Sequence, residues 1–283
     1  MGLDRDHQLH LVKENYRNPR GYTALYQGKD TESHFFNTRL LRVSELIAEV
    51  NPQRVLDVGC GPCMTGALFD KGDVEFYGVD ISREMISECT VRFGHDPRFH
   101  FSVGGIDELP FSDFCFDLIL CLGVIEYVPD PVAAVREIAR VLKPGGTVIA
   151  TMLNPRSPYR IWDASVYPKL KRLKEIIREP EYIRNRVTKT RRLKNGVQNF
   201  NRISKPTLKM YTQTAFVQFL NANGLKIQDI IYYGFNLFIK PLDHRFPELA
   251  VFLGSKLEFL CRSKLKFLGT GFIVKARKDG GFF

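Results

Sequence analysis

The sequence predicts an α/β protein built on a doubly wound parallel sheet. Short apolar runs alternate with helical stretches between residues 51 and 154, the pattern of strands covered on both faces by crossover helices. The first run, within VLDVGCGPC at 55–63, ends in a glycine turn. The second ends in an acid, Asp80, twenty-one residues after Gly59, close to the separation of about 20 residues expected between a nucleotide-binding glycine loop and its ribose-binding acid.

Residues 1–50 read as polar helix, with apolar periodicity from Phe35 to Val50 that Asn51-Pro52 stops. Strands are expected at Val55–Val58, Phe76–Asp80, Phe99–Val103, Phe116–Leu122 and Thr147–Met152. Helices are expected at Cys63–Lys71, Ser82–Phe93 and Pro131–Leu142, the last ended by Pro144-Gly145-Gly146. A basic stretch, 155–210, follows the fifth strand. Then come a helix at Thr212–Asn223 closed by Gly224, a long strand at Leu225–Ile239, a second insertion at 241–268, and a final strand at Gly271–Arg277. The expected organisation is one domain, 1–283. A helical cap (1–50) precedes a cofactor-binding core (51–154) and a basic lid insertion (155–210). Residues 211–283 complete the sheet and carry the helical insertion 241–268.

Composition narrows the function classes. With 44% apolar and 25% charged residues, the chain reads as an ordinary folded protein. Its longest uncharged apolar run, Ile230–Ile239, is half the ~20 residues a membrane-spanning helix needs. Six dispersed cysteines without zinc spacing argue against a disulfide scaffold and against structural zinc. No metal is expected. The N-terminal residues carry early acids and no apolar block, so a cytoplasmic protein is expected. The net charge of +10 is concentrated: residues 155–210 hold sixteen Lys and Arg against four acids, which accounts for the whole excess.

The glycine loop poses a choice. Cys60-Gly61-Pro62-Cys63 spells a redox motif, but a strand, an acid and Gly-x-Gly surround it. Glycines at 59 and 61 allow a ligand to approach the backbone. A dinucleotide fingerprint would place a third glycine at 64, where Met64 stands. Asp57, two residues before Gly59, can instead receive an ammonium while Asp80 receives ribose hydroxyls, and a ligand with both groups is S-adenosylmethionine. Five ordered stretches, VLDVGCGPC, FYGVDISREMI, GGIDELPF, FDLILCLGVIEYVPDP and REIARVLKPGGTVIATMLNP, resemble the successive motifs of the class I S-adenosylmethionine-dependent methyltransferases, the small-molecule type that includes quinone and natural-product enzymes. The resemblance spans about residues 40–154. It implies a Rossmann-like seven-stranded sheet with the last strand antiparallel, helical insertions forming a lid, and S-adenosyl-L-methionine as cofactor.

Carried over by position, the resemblance assigns Asp57, Gly59, Cys60 and Gly61 to the cofactor loop. It places Asp80 on the ribose and Ile81 and Ile106 on the adenine. Leu122 would contact the cofactor's backbone. Gly105 stands where the family often has an adenine-binding acid, and Asp107 is the candidate substitute. Arg39, sixteen residues before Val55, is spaced like an arginine that pairs with the methionine carboxylate in quinone O-methyltransferases. In those enzymes an acid-rich run ending in Glu-His can hold a divalent metal; here Gly123 and Tyr127 replace an acid and the histidine, so no metal site is expected. Cys63 would lie near a helix N-terminus with a lowered pKa.

The catalytic candidates are Glu126 and Tyr127, after the fourth strand, and His34 in the cap. Methyl transfer from a sulfonium needs in-line positioning, and a base only if the acceptor must lose a proton. The basic segment and the second insertion both leave carboxyl ends of the sheet and are expected to roof the site. The second has apolar residues at helical spacing among Lys and Arg, the pattern of a helix packed on its own core, of a wall for a greasy substrate, or of a foot on anionic lipid. The favoured acceptor is a small hydrophobic or anionic metabolite or lipid, methylated on O or N, with peripheral contact to an anionic membrane as an open partner. Nucleic acid is disfavoured: 155–210 interleaves aromatics with cations, as RNA-binding surfaces do, but no RNA-binding module is present. A tRNA, peptide or protein methyltransferase and a non-catalytic binding module are the alternatives.

Overall fold

The computed structural model describes residues 2–178 and 206–280. A seven-stranded sheet forms its centre: β1 (Arg54–Val58), β2 (Glu75–Asp80), β3 (Phe99–Val103), β4 (Phe116–Cys121), β5 (Leu142–Leu153), β6 (Leu225–Tyr233) and β7 (Gly271–Lys278). Their order is β3-β2-β1-β4-β5-β7-β6, with β7 antiparallel to both neighbours. The order reverses between β1 and β4, which pair directly through Asp57 opposite Leu120. That reversal opens a crevice at the carboxyl ends of β1 and β4.

The two sheet faces carry separate cores. Period-two alternation sends Leu56 and Val58 to one face, where they join Ile119, Cys121 and α5 (Pro131–Val141). On that same face, Phe216 and Leu220 of α8 (Gln213–Asn221) cover the β5–β7–β6 side. Val55, Leu118 and Leu120 point to the other face, against Val43 and Leu46 of α3 (Thr31–Ile47) and Cys89 of α4 (Arg83–Phe93). Side-chain caps start the helices: Asp30 for α3, Ser82 for α4, Asp130 for α5 and Thr212 for α8. Two further helices, α1 (Gly2–Asn15) and α2 (Pro19–Gln27), precede α3.

Three expected elements differ. The fifth strand runs Leu142–Leu153 rather than Thr147–Met152, so Pro144-Gly145-Gly146 lies within it and the preceding helix ends at Val141. Cys63–Lys71 is not an α-helix but turns and one short 3-10 turn, Gly66–Leu68. Cys63 takes a positive φ of 57°, which breaks the helical path, and the Thr65 hydroxyl turns inward to the Asp57 carboxylate. The sixth strand ends at Tyr233 rather than Ile239. There Gly234 takes φ 69°, and the Glu258 carboxylate accepts the amides of Gly234 and Phe235, bending the chain away from the sheet.

Both insertions sit at the carboxyl end. After β5 come α6 (Pro158–Ile161), a π-helical turn at Trp162–Val166, and α7 (Tyr167–Arg178). After β6 come α9 (Leu242–Arg245) and α10 (Pro247–Leu257), followed by 3-10 turns. The Trp162 indole donates to the Lys240 carbonyl at 2.8 Å, and Lys240 pairs with Asp163 at 2.9 Å, tying the insertions together. The rest of the basic segment, 179–205, lies outside the described residues. Among the described residues no helix is long and apolar enough to cross a membrane.

Candidate functional site

The glycine loop leaves β1 and is pinned to β2. The amides of Gly59 and Cys60 both donate to the Val79 carbonyl, at 2.7 and 3.1 Å. Gly59 and Gly61 take φ of 68° and 53°, a region that excludes most side chains. A Cβ on Gly59 would lie 2.3 Å from Val124. At the end of β2, Asp80 is held from two sides: the Gly61 amide donates to Oδ2 at 2.9 Å and the Ser82 amide to Oδ1 at 2.8 Å. Its carboxylate lines a cavity together with Gly59, Gly61, Ile81, Ile106 and Leu122. The oxygens keep lone pairs that ribose hydroxyls can reach.

Not every expected loop residue reaches the cavity. Asp57 is buried beneath it, braced by Thr65, and lines neither cavity. Burial pushes its carboxyl up to about 7. Cys60 also points away from the cavity, with its sulfur 3.9 Å from that of Cys89. Cys89 lies 3.0 Å from the Gly61 carbonyl. The thiols of Cys60 and Cys63 hydrogen-bond to Cys89 and lower its pKa, and the same contacts raise theirs. The lowered thiol pKa expected at Cys63 therefore falls on Cys89, because no helix starts at Cys63 and its thiol is buried.

The far wall comes from α1. Leu9 and Val12 line the cavity together with Ile81 and Ile106, giving it an apolar wall. Asp107 is on the wall, paired with Arg5 of α1. Gly105 beside it offers no side chain.

A second cavity of about 580 Å³ adjoins the first, sharing Tyr16, Tyr22, Met85, Gly123 and Tyr127 as wall residues. Arg39 enters it from α3, only 5% exposed. Its guanidinium donates to the Tyr26 hydroxyl at 2.8 Å, stacks over Phe36 at 4.8 Å, and lies against Gly123. Glu126, 3% exposed, lines the same space. Its Oε2 is buried without a hydrogen-bond partner, and burial pushes its carboxyl up to about 7. Next to it, the Tyr16 hydroxyl donates to Tyr127 at 2.5 Å. His34 is elsewhere: it lines neither cavity and faces Glu258, 3.8 Å away, under Gly254 of α10. Burial lowers its pKa. The base expected at His34 thus lies outside both cavities.

Several site residues have no signal in the sequence. Arg160, on α6, reaches the larger cavity with its Nε donating to the Thr270 carbonyl at 3.0 Å. It is half-buried there, and desolvation lowers its pKa. Among sixteen cations in 155–210 nothing singles it out, although its place just beyond the end of β5 could have. Tyr16, Asn236 and Lys240 are also wall residues that the sequence did not single out. No group of three His, Cys, Asp or Glu side chains that could hold a metal occurs among the described residues.

Residues 56–150 match the family model described as a methyltransferase domain. A ubiquinone biosynthesis O-methyltransferase of Alkalilimnicola ehrlichii is 34% identical over 138 residues, 47% of this chain and 54% of that protein. An uncharacterized methyltransferase of Schizosaccharomyces pombe is 31% identical over 161 residues, 51% of this chain and 56% of that protein. The chain thus spans about half the length of these curated relatives. Among solved structures, an S-adenosylmethionine-dependent methyltransferase of Thermotoga maritima, described as a possible histamine N-methyltransferase, superposes with a TM-score of 0.58 at 16% identity, covering 95% of this chain and 99% of that one. At that identity the likeness is one of fold.

Proposed function

We propose, from the premise that this chain belongs to the class I S-adenosylmethionine-dependent methyltransferases, that it transfers a methyl group to an oxygen or nitrogen of a small acceptor. The observation that carries this reading is the pair of adjoining cavities, one walled by the glycine loop and Asp80, the other by Glu126 with its unpartnered Oε2. A volume of about 580 Å³ lies in the range of small-molecule sites, roughly 300–1,000 Å³. It suits a metabolite better than a nucleic acid or protein segment. The single domain would divide as the sequence suggests, with the cap closing the cofactor cavity and the two insertions forming the roof.

The residues present fit the cofactor. Gly59 and Gly61 let it approach the backbone, Asp80 would accept its ribose hydroxyls, and Ile81, Ile106, Leu9 and Val12 would pack on its base. Arg39 would take its carboxylate. When bound, it supplies an electrophilic methyl on sulfur. Acceptor chemistry falls to the protein. Tyr16, Tyr22 and Phe36 wall off water, and Arg160 offers a guanidinium to an anionic group. Glu126, poised near neutrality, accepts the proton of an acceptor hydroxyl or amine.

Calorimetric binding of S-adenosylmethionine and its demethylated product tests the premise, with Asp80→Ala as control. Micromolar binding that falls at least ~30-fold in the variant is expected, the loss of charged hydrogen bonds to ribose. Failure of the folded wild type to bind either compound would sink the enzyme reading and leave the binding-module alternative.

A further inference from the structure

Helix α10 is apolar on two opposite faces. Ala250 and Gly254 turn inward and are buried. Gly254 is pressed so close to the body that a Cβ would lie 2.5 Å from the Phe235 carbonyl oxygen. Phe246 at the N-cap, Leu249 and Phe252 on the other side of the helix and, beyond its end, Phe259 are apolar as well. These are 50%, 48%, 56% and 75% exposed. A helix that is apolar all round is normally covered all round. Here the outer face has no protein cover among the described residues.

The first insertion repeats the pattern. On α7 and the turn before it, Val166, Leu170 and Leu173 fall on one side and are 36%, 47% and 52% exposed. The two insertions are joined near their starts by the contacts of Trp162 and Asp163 with Lys240 and by the Tyr159 hydroxyl on Asp243. Cations are set among these apolar groups. In α7, Lys169, Lys171 and Arg172 are exposed. In 241–268, Arg245, Lys256, Arg262 and Lys264 are exposed, against one exposed acid, Glu248. Asp243 and Glu258 are buried. Lys256 lies over the Phe252 ring and Arg245 over Phe246, so charge and apolar surface are presented together.

We propose that this face docks on an anionic lipid bilayer, the phenylalanines and leucines entering the acyl boundary and the lysines and arginines meeting the headgroups. Charge selects this occupant. A second copy of the chain would bring the same positive face against itself. Residues 179–205, with eight cations and two acids, carry the same sign. An anionic bilayer complements both the charge and the apolar surface. The position is also apt: the insertions that form the face supply Arg160, Asp163, Lys240 and His244 to the wall of the larger cavity. On the reading of that cavity as the acceptor site, an amphiphile could pass from the membrane into it.

Co-sedimentation with vesicles tests the proposal, using phosphatidylcholine alone or with about a third replaced by phosphatidylglycerol. Wild type is expected to sediment with the anionic vesicles only, less so at high salt. Phe252→Glu/Phe259→Glu should weaken that partitioning by roughly tenfold or more, since two apolar anchors are replaced by charge. Binding of the demethylated cofactor product and the melting temperature, measured on the same samples, report the fold; should the double variant lose either, Phe259→Ser alone serves, at the most exposed of these positions. No sedimentation of folded wild type overturns the proposal, as does binding that the variant leaves within about twofold, which would place the lipid attraction elsewhere on the chain. Self-association that the variant abolishes, without vesicle binding, would assign the face to a second copy and equally overturn it. A wild type that binds vesicles but not the cofactor product would undo the methyltransferase reading and leave this one standing.

Discussion

The floor and the roof of the site are built in different ways. The floor is the cofactor side. Its polar contacts come from backbone amides and one carboxylate within residues 57–82, all fixed by parallel strands. The roof is, on the proposed reading, the acceptor side. Tyr16, Glu126, Arg160 and Lys240 arrive from four separate stretches of chain and meet only in space. A floor made of backbone geometry tolerates few side-chain changes near its glycines. A roof made of side chains can be altered residue by residue with the fold intact. On the proposed reading, that contrast would let the acceptor side change while the sheet stays the same.

The floor should break first. Gly59→Val puts a branched side chain at φ 68° with its Cβ 2.3 Å from Val124. The expected cost is ~3 kcal/mol of stability from backbone strain and overpacking together. Cofactor binding should fall at least ~100-fold, because the loop amides cannot keep their place. Chemical denaturation and calorimetry read the two effects. A variant that melts like wild type and binds within threefold of it would show that the loop is not held as described.

Glu126→Gln tests the roof. It should leave cofactor binding within about twofold and lower turnover of any hydroxyl or amine acceptor by ~100-fold, the low end for loss of a general base. In wild type, turnover should rise with pH through about 7, where the Glu126 carboxyl loses its proton, and the variant should lose that limb. Stability carries the opposite sign. The folded pKa lies above that of the unfolded chain, near 4.5, so the contribution is fully present below 4.5 and is lost as pH rises through about 7. At about pH 8 the variant should be the more stable, on the order of 2 kcal/mol, as it buries no charge. Urea titrations across pH decide it; a parallel pH profile for both proteins would remove Glu126 from the titration.

Arg160→Met should act more gently. It removes a half-buried guanidinium whose protein hydrogen bond is to the Thr270 carbonyl. The melting temperature should hold or rise. For an anionic acceptor, KM should increase by about tenfold with kcat little changed, the loss of one charged contact. An unchanged KM across charged and neutral acceptors would make Arg160 a structural residue.

The same contrast explains what was legible in the sequence. The sheet could be read in order because each strand is a local apolar run, and Asp80 because its spacing from Gly59 reflects a single crossover from β1 to β2. The antiparallel last strand came through resemblance, which carries tertiary information that periodicity lacks. The short turn after Cys63 was missed because propensity favours helix there, and a positive φ at a cysteine has no local signature. Asp57 looked like a ligand contact because it precedes the glycines, but alternation along β1 sends it to the α3–α4 side, where Thr65 takes it. Arg160 and Tyr16 were invisible because their roles depend on how insertions fold back over the sheet.

The smallest effect is expected from the residues that look most reactive. Cys60→Ala/Cys63→Ala removes two thiols of the redox-like motif. Both are buried, and Cys63 packs against Gly66 and Phe93 in a tight turn, so a stability loss of ~1–2 kcal/mol is expected from the lost volume. Cofactor binding and methyl transfer should stay within about threefold, because neither sulfur lines the cavity and the loop is tied to Val79 and Asp80 through backbone amides that alanine keeps. The Cys89 thiol should rise in pKa once its two donors are gone, and alkylation rates against pH would report that shift. Complete loss of transfer with the fold retained would instead return the motif to thiol chemistry, and would mean that the floor depends on side chains as much as the roof does.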